Sequence, residues 1–309
     1  MEYDVVVVGG GTAGLSAALT LARAGRRLAV VDQGEPRNAP AGHLHGFLSR
    51  DGMPPGELIE VGRSEIAGYG AELVSGRVRE AAPGAEYGFT VRLETGRLLR
   101  ARALLVATGL RDVLPQVPGV AELWGSGVLH CPYCHGHEVR GTPIGVLGGE
   151  NRPFSVHQAS LVRQWSEDVV FFPREIELDD EERERLLARG VRIVEGDVER
   201  LEADGDSLTG VRMADGRMVP RAALFVGPRF EPRDELLIRL GCEVGPNGWV
   251  AVDPSGRTSV PGVWGAGNVV SESAQLASAA GMGMSAGIAL NHYLLADDIE
   301  GAVARYRMR

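Results

Sequence analysis

The first 32 residues constrain the fold of this chain more than any other stretch of its sequence. A β-branched run, YDVVVV, is followed by Gly9-x-Gly11-x-x-Gly14, by an apolar helical pattern that ends at Gly25, and by a second strand pattern, RLAVVD, that ends at Asp32. This order predicts a β-α-β unit of the dinucleotide-binding type. Gly9 would permit a tight turn, Gly11 would let a pyrophosphate approach the backbone, and Gly14 would let the helix pack closely on the strand.

A dinucleotide would lie across the start of this helix, next to Thr12 and Ala13. The first turn of a helix leaves its N–H groups unpaired and carries the positive end of the helix dipole, so it favours phosphate. Asp32 follows Gly14 by 18 residues, where a carboxylate can bind ribose hydroxyl groups. A lone glycine fingerprint also occurs as an ordinary turn in α/β proteins, but here strand, glycines, helix, second strand and acid follow in register. We therefore predict a dinucleotide site.

The composition excludes several classes of function. The 309 residues carry a formal net charge of −9, which argues against nucleic acid as the main partner, because phosphate binding needs a basic face. All 32 basic residues are arginine, which excludes catalysis through a lysine Schiff base. No run approaches the ~18 apolar residues of a membrane span, and the N-terminus enters a strand without the basic segment of a secretory signal. We therefore expect a cytoplasmic protein with no membrane partner.

The stretch HCPYCHGHEV contains Cys131 and Cys134, whereas the third cysteine, Cys242, lies far away in the sequence. In a reducing cytoplasm these cysteines do not indicate a disulfide framework, so the pair is expected to bind a metal or to be redox-active. A zinc site could use both cysteines with His135 and His137, but closed zinc sites usually join ligand pairs from two segments, and no second pair is present. A Cys-x-x-Cys pair can also close a small disulfide ring and react as a thiolate. Both interpretations stay open on these residues alone.

Two further stretches have the pattern of strands that end in a glycine turn. ALLVATGLRDVLPQVPG ends a buried strand at Thr108-Gly109 and continues into a proline-rich exit typical of a domain boundary. Near the C-terminus another strand pattern is followed by Gly267-Asn268 and, beyond Gln275, by a helix of small residues.

Together these stretches resemble the low-molecular-weight thioredoxin reductases, and the match runs in order through nearly the whole chain. The resemblance implies an α/β fold with two dinucleotide-binding, Rossmann-like domains. The FAD-binding domain would comprise residues 1–112 and 246–309. It would be split around a central domain, residues 113–245, which resembles an NAD(P)-binding domain and carries the Cys-x-x-Cys. A homodimer is expected by the same resemblance.

The resemblance also implies the cofactor. It places the ADP half of FAD on the first fingerprint, the ribityl chain near Gly267 and Asn268, and the flavin region near Gln275. The family usually has aspartate where Asn268 stands, and an asparagine carbonyl still offers an acceptor. No metal is expected. The residues expected to contact FAD are Gly9, Gly11, Thr12, Ala13, Gly14, Asp32, Thr108, Gly109, Gly267, Asn268 and Gln275.

In this family the Cys-x-x-Cys is the redox centre. The resemblance implies that Cys134 lies against the flavin and that Cys131 exchanges disulfide with the substrate. His135 occupies the position where thioredoxin reductases usually have an acidic residue that shuttles a proton. Because an imidazole titrates near neutrality, we expect His135 to accept a proton from a thiol or to give one to a thiolate. Nothing in the sequence gives His130 or His137 a role.

The central insert departs from the family in its second glycine fingerprint. TPIGVLGGENRPFSV predicts a strand, a glycine turn and a helix, but Glu150 stands where thioredoxin reductases have a close-approach glycine. A carboxylate at this place would repel a pyrophosphate. Pro153 replaces a small packing residue, and the arginine cluster that binds a 2′-phosphate is reduced to Arg174 beside Glu175. We therefore expect the fold to remain while NADPH binding is lost.

This pattern also resembles the dithiol oxidases that close disulfides in gliotoxin-like and holomycin-like metabolites, and the reductases fed by another electron donor such as ferredoxin. We expect an FAD-dependent thiol-disulfide oxidoreductase that works without NADPH. Its Cys131/Cys134 pair would exchange two electrons with a thioredoxin-like protein or a small-molecule dithiol, with oxygen or another electron carrier as a further partner. An NADPH-dependent thioredoxin reductase is the alternative, and a non-catalytic flavin- or zinc-binding module is the second alternative.

Overall fold

The structure is a computed structural model that describes residues 2–84 and 88–309. The helices are α1 (Thr12–Arg23), α2 (Pro55–Gly68), α3 (Pro132–His135), α4 (Arg152–Leu161), α5 (Asp180–Ala188), α6 (Glu235–Arg239) and α7 (Leu276–Arg307). The strands are β1 (Tyr3–Val8), β2 (Leu28–Asp32), β3 (Glu72–Ser75), β4 (Val78–Pro83), β5 (Phe89–Leu93), β6 (Leu98–Val106), β7 (Leu110–Val113), β8 (Val128–Leu129), β9 (Ile144–Leu147), β10 (Val169–Phe172), β11 (Val191–Ile193), β12 (Val198–Asp204), β13 (Ser207–Met213), β14 (Met218–Pro220), β15 (Ala223–Val226), β16 (Arg229–Pro232) and β17 (Val263–Gly265). Short 3₁₀ turns span Val162–Gln164 and Gly267–Val269.

The first of two compact units comprises the chain up to Ala39, Pro55–Arg111 and Pro232–Arg309. Its described strands form a sheet in the order β3-β2-β1-β6-β5-β4, with β17 also paired to β6. β1 is parallel to β2 and β6, and β17 is parallel to β6. Because parallel strands end at the same edge, the turns after β1, β6 and β17 lie together at the carboxyl edge of the sheet.

The valine run of β1 is covered on both faces, as expected for a central parallel strand. Val5 and Val7 pack on one face with residues of α1 and α7, including Leu21 and Leu290. Val6 belongs to the core of the opposite face. Burial of each such side chain contributes about 1.5–3 kcal/mol, so this strand fixes the position of the glycine turn that follows it.

An arginine network attaches the C-terminal helix to this sheet. The largely buried side chain of Arg102, in β6, lies 3.1 Å from Asp4 and 2.6 Å from both Asp297 and Asp298 of α7. Arg26, which follows α1, also binds Asp298 at 2.6 Å. Among the described residues, no helix, α7 included, combines the length and apolarity needed to cross a membrane.

The second unit comprises Pro40–Pro54 and Asp112–Glu231. In the part of the chain that is described, a parallel sheet with the order β11-β10-β9-β15-β8 forms its centre, and β12-β13-β14 form an antiparallel sheet. One face of the parallel sheet carries Leu147, Phe172 and Leu224, and the other carries Val146 and Phe171. The predicted α/β class with parallel, Rossmann-like sheets is confirmed.

The compact units divide the chain differently from the predicted domains. The chain passes from the first unit to the second after Arg111, next to the predicted boundary at residue 112. It returns to the first unit at Pro232, whereas a return at residue 246 was expected. The difference arises because Leu236, Leu237 and Cys242 are buried in the core of the first unit. Residues 40–54, which were expected in the first domain, group with the second unit.

Candidate active site

The first glycine turn has the steric properties that its sequence predicted. Gly9 has a φ of +105°, and a Cβ there would lie 2.4 Å from the carbonyl oxygen of Ala107. A Cβ on Gly14 would lie 1.9 Å from the carbonyl oxygen of Gly9, so only glycine lets α1 pack this closely on the turn. Neither position tolerates a side chain, and both shape the backbone at the end of β1.

Gly11 differs from these two, because a Cβ built on it meets nothing within 4 Å. It is the N-cap residue of α1, and as a glycine it has no side chain with which to cap the helix. The first turn, which begins at Thr12, therefore presents N–H groups beside an open space. This is the arrangement that accepts a pyrophosphate.

Asp32 ends β2 beside the same turn. Its carboxylate accepts hydrogen bonds from the backbone N–H of Gly10 at 2.9 Å and of Gly34 at 3.2 Å. Arg63 of α2 donates to the same carboxylate at 2.7 Å. The sequence predicted the carboxylate but not Gly10 or Arg63, because the glycine fingerprint does not include the first and no motif marks the second.

Small residues bring the C-terminal helix onto the start of α1. Gly267 has a φ of +77°, and a Cβ there would lie 2.9 Å from the Cβ of Ala13. Gly283 is tighter, since its Cβ would lie 2.0 Å from the carbonyl oxygen of Ala13. Ala13 and Gly267 were predicted as site residues and are brought together. Gly283 was missed, although the GMGMSAG pattern in α7 is a signal of close helix packing.

The hydrogen bonds of Asn268 explain why asparagine stands where the family usually has aspartate. Its Nδ2 donates to the carbonyl oxygens of Ser271 at 2.9 Å and Ala274 at 3.1 Å, and its Oδ1 accepts from Arg37 at 3.3 Å. An aspartate could accept the last bond but could not donate the first two. The amide therefore shapes the 271–274 loop that leads into α7.

The remaining predicted cofactor residues have mainly backbone partners. The hydroxyl of Thr108 donates to the carbonyl oxygen of Arg233 at 2.5 Å, and the carbonyl oxygen of Gly109 accepts from the N–H of Arg233 at 2.9 Å. Gly109 has a φ of +74°. Gln275 is the exposed N-cap residue of α7, and its carbonyl oxygen accepts from the N–H of Ala279 at 2.7 Å.

The dithiol lies in the second unit, directly after β8. Cys131 is the N-cap residue of α3, and Cys134 lies within this single turn. The carbonyl oxygen of Cys131 accepts from the backbone N–H groups of Cys134 and His135, both at 3.1 Å. A Cβ on Gly136 would lie 2.7 Å from Trp165, so this glycine lets the turn pack against the indole. Both cysteines are partly buried.

His135, which follows Cys134 in the sequence, has a partly buried side chain. Its Nδ1 is buried and has no hydrogen-bond partner among the described residues. Burial lowers the pKa of His135 below its usual value, although the nearby Glu138 carboxylate opposes this effect. The imidazole is therefore held as a neutral base at neutral pH, as a proton acceptor for a thiol requires.

A cavity of about 180 Å³ lies beside His135 within the second unit. Its lining includes His43, His45 and Glu138. His45 joins two segments here, because its Nε2 lies 3.6 Å from Glu138 and its Nδ1 lies 3.4 Å from Asp51. The sequence gave these residues no role, since Glu138 lies far from His45 along the chain.

The second glycine fingerprint is closed by its own side chains. The N–H of Gly149 donates to the hydroxyl of Ser155 at 3.1 Å, and Asn151 caps α4 by accepting from the N–H of Phe154 at 3.2 Å. The carboxylate of Glu150 lies 3.1 Å from Arg229. Backbone donors that would hold a pyrophosphate at an open fingerprint thus have partners here.

Two arginines near this second fingerprint form contacts within the protein. Arg152, at the start of α4, forms a two-point ion pair with Glu182, with contacts of 2.8 and 2.5 Å. Arg174, with a φ of +56°, donates to the carbonyl oxygen of Gly148 at 3.3 Å. Throughout the described residues, no group of three or more histidine, cysteine or acidic side chains is arranged to hold a metal ion.

Comparisons with known proteins agree with this geometry. The model of the pyridine nucleotide-disulphide oxidoreductase family matches residues 3–283. The thioredoxin reductase sirT of Leptosphaeria maculans is 32% identical over 96% of each chain, and the thioredoxin reductase tcpT of Claviceps purpurea is 32% identical over 95% of each. The solved structure of HlmI is 53% identical, superposes with a TM-score of 0.95, and covers 99% of this chain and 96% of its own.

The open first fingerprint fits FAD, the cofactor of this family. Gly11 leaves room for a pyrophosphate, the uncapped first turn of α1 supplies donors, and Asp32 lies at the strand end expected for ribose contacts. The fold, the fingerprint and the family match lead to one conclusion: the chain belongs to the pyridine nucleotide-disulphide oxidoreductase family and is an FAD-dependent, thioredoxin reductase-like disulfide oxidoreductase.

Proposed function

We propose that this enzyme exchanges two electrons between the Cys131/Cys134 pair and an external dithiol or disulfide, and that it does so without NADPH. The observation that carries the second part is the contrast between the two glycine fingerprints. Gly11 leaves the N-terminus of α1 open and uncapped, whereas Asn151 and Ser155 occupy donors at the N-terminus of α4.

Binding of a nucleotide at α4 would carry several costs. A pyrophosphate would have to displace Asn151 from the N–H of Phe154, and an N-cap bond is worth about 0.5–2 kcal/mol. It would also approach the carboxylate of Glu150, which repels a phosphate. The second fingerprint therefore supports a fold that persists without its nucleotide.

In the proposed reaction, the thiolate of a substrate dithiol attacks the Cys131–Cys134 disulfide at Cys131 and releases the Cys134 thiolate. The second substrate thiol then displaces Cys131 and closes the substrate disulfide. The substrate loses two electrons and two protons, and the enzyme gains the dithiol. FAD, when bound, supplies the two-electron acceptor that returns the pair to its disulfide form.

His135 has the proposed role of moving a proton at this pair. Its imidazole is neutral at pH 7 because burial disfavours the charged form, and His135 directly follows Cys134 in the chain. It can accept a proton from a thiol before attack and return it to a leaving thiolate. In the reverse direction the same residues would reduce a substrate disulfide.

The partners proposed for the reaction are a thioredoxin-like protein or a small-molecule dithiol, with oxygen or another electron carrier accepting the electrons. The names of the relatives sirT and tcpT support the first of these, because both are called thioredoxin reductases. A cytoplasmic location and a homodimer are also proposed. The homodimer is supported by exposed apolar residues of α7, among them Ile288 and Ile299.

Anaerobic reduction of the bound flavin tests the proposal. NADPH, NADH and a dithiol such as dithiothreitol are compared at equal concentration, and loss of flavin absorbance is followed. We expect the dithiol to reduce the flavin far faster than either nucleotide. Rapid, saturable reduction by micromolar NADPH would instead establish the ordinary NADPH-dependent thioredoxin reductase, which the family name favours.

Cysteine variants test the other half of the proposal. Cys131→Ser and Cys134→Ser should each abolish turnover of a dithiol, because a disulfide cycle needs both sulfur atoms. Cys242→Ser is the matched control and should remain active. The thiol of Cys242 is buried, donates to Thr258 at 3.4 Å and has a pKa raised by burial. Full turnover in either of the first two variants would remove the dithiol from the mechanism.

A further inference from the structure

The side chain of Gln158 is an unusual feature of the second unit, because it is polar, 1% exposed and only partly satisfied. It lies on α4, and its Nε2 donates to the carbonyl oxygen of His130 at 2.6 Å. A carbonyl can only accept, so this contact fixes which end of the amide faces His130. Among the described residues nothing bonds to Oε1, and a buried polar atom of this kind calls for an explanation.

The carbonyl that Gln158 holds belongs to the peptide leading directly into Cys131. On the other side of Cys131, its own carbonyl oxygen is fixed by the N–H groups of Cys134 and His135. The backbone on both sides of the first cysteine is therefore held by hydrogen bonds. The earlier of these anchors comes from a side chain 28 residues away in the sequence.

The ring of His130 is held as firmly as its carbonyl. Its Nδ1 lies 3.2 Å from the carbonyl oxygen of Val226, and a carbonyl acceptor requires a proton on that nitrogen. Phe154, which is also on α4, stacks on the ring with centroids 5.4 Å apart, and Phe230 meets it edge-on at 5.2 Å. Helix α4 thus contacts His130 twice, through Phe154 and through Gln158.

We propose that Gln158 is a positioning residue for the redox pair, fixing the His130–Cys131 peptide so that the sulfur of Cys131 stays within reach of Cys134. This inference rests on the proposed role of Cys131 and Cys134 as a redox dithiol. Formation of an intramolecular disulfide depends on how closely the two thiols are held, as their effective concentration. Loss of the amide donor should lower that concentration and weaken the disulfide relative to an external one.

The test measures the equilibrium of the holoenzyme with glutathione. The protein is equilibrated anaerobically in buffers of defined reduced and oxidised glutathione, quenched with acid, and the Cys131–Cys134 disulfide is quantified by mass spectrometry. Two glutathione thiols reduce the disulfide to the dithiol and become glutathione disulfide, so atoms and electrons balance. Gln158→Met keeps the approximate size of the side chain and removes the donor. We expect it to lower the equilibrium constant for disulfide formation about tenfold, which corresponds to about 30 mV.

Gln158→Glu adds a signature that a merely structural role would not produce. A protonated carboxyl group can donate to the His130 carbonyl, whereas a carboxylate cannot. The equilibrium constant for disulfide formation in Gln158→Glu should therefore be lower than in wild type at high pH and approach the wild-type value as the pH falls. In Gln158→Met the reduction of this constant should not change with pH. Ser155→Ala is the matched control. This residue is also buried on α4, but it bonds Gly149 and Asn151 and leaves the dithiol segment untouched.

The outcomes distinguish a failure of the proposed function from a failure of the proposed role of Gln158. Wild-type protein that forms no Cys131–Cys134 disulfide in any glutathione buffer would overturn the proposed function together with the role of Gln158. A wild-type disulfide with unchanged equilibrium constants in Gln158→Met and Gln158→Glu would overturn only the role of Gln158. An equal loss in Ser155→Ala would also overturn it, because the effect would then belong to α4 as a whole.

Discussion

The contrast between Gly11 and Gly14 yields a sharp test of the first fingerprint. Both are changed to alanine, one at a time, so that the same methyl group is added at two positions three residues apart. In Gly11→Ala the added Cβ meets nothing within 4 Å, and in Gly14→Ala it lies 1.9 Å from the carbonyl oxygen of Gly9. The two variants should therefore fail in different ways.

Gly11→Ala should fold normally. The backbone at Gly11 has φ −75° and ψ −177°, which alanine adopts without strain. The substitution restricts the unfolded chain, which stabilises by about 0.4–1 kcal/mol, and offsets part of the loss from alanine being a poor N-cap residue. We expect stability within about 1 kcal/mol of wild type. FAD affinity should fall at least tenfold, or by about 1.4 kcal/mol, because the methyl group occupies the space of the pyrophosphate.

Gly14→Ala should instead lose stability. Its Cβ contact is about 1 Å shorter than the closest contacts that real Cβ atoms make, and the opposing atom belongs to the backbone. Relief requires α1 to move away from β1, and overpacking of this kind costs about 1–3 kcal/mol or more. FAD release on dilution, followed by flavin fluorescence, and urea unfolding measure the two effects. Wild-type retention of FAD by Gly11→Ala would refute the assignment of the open space to the cofactor.

Three further predictions follow from single contacts. Asn268→Asp should lower the free energy of unfolding in urea by about 1–3 kcal/mol, because it turns two donated bonds to Ser271 and Ala274 into contacts between oxygen atoms. Asn268→Ser should lower it by less. His135→Gln should remove the fall in turnover at acid pH. The wild-type imidazole regains its ordinary pKa of about 6.5 on unfolding, so the variant should lose less stability than wild type as the pH falls below that value. Unchanged pH profiles of turnover and stability would contradict the role of His135. Ile288→Glu with Ile299→Glu should give a monomer in sedimentation equilibrium, whereas Glu300→Gln should not, because Ile288 and Ile299 are exposed and project on the same side of α7.

The elements that could be predicted from the sequence are those fixed by short-range sterics. Gly9 and Gly14 have to be glycine because the chain folds back on itself within a few residues, so spacing alone identifies the turn and the start of α1. The end of β2 at Asp32 and the N-cap at Gln275 follow in the same way from local pattern. Local pattern therefore predicted the first β-α-β unit, and the resemblance to the thioredoxin reductases implied the rest of the α/β fold.

The features that escaped prediction depend on core packing or on the conformation of a loop. The resemblance implied a return to the first domain at residue 246. The actual return is earlier, and the burial of Leu236 and Leu237 that explains it is visible only in the packed core. Asn268 was expected to serve as an acceptor through its carbonyl, yet its amide also donates to two carbonyl oxygens whose positions depend on the loop that it shapes.

The second fingerprint shows why a motif has to be read together with its hydrogen-bond partners. The sequence pointed to Glu150 as the obstacle to a nucleotide, on grounds of size and charge. In the structure that carboxylate faces Arg229, which offsets part of its repulsion. The stronger obstacle is the use of backbone donors by Asn151 and Ser155, which a simple Glu150→Gly substitution would leave in place. On the proposed loss of nucleotide binding, we expect its restoration to need changes at all three positions, because a phosphate must find unpaired N–H groups as well as space.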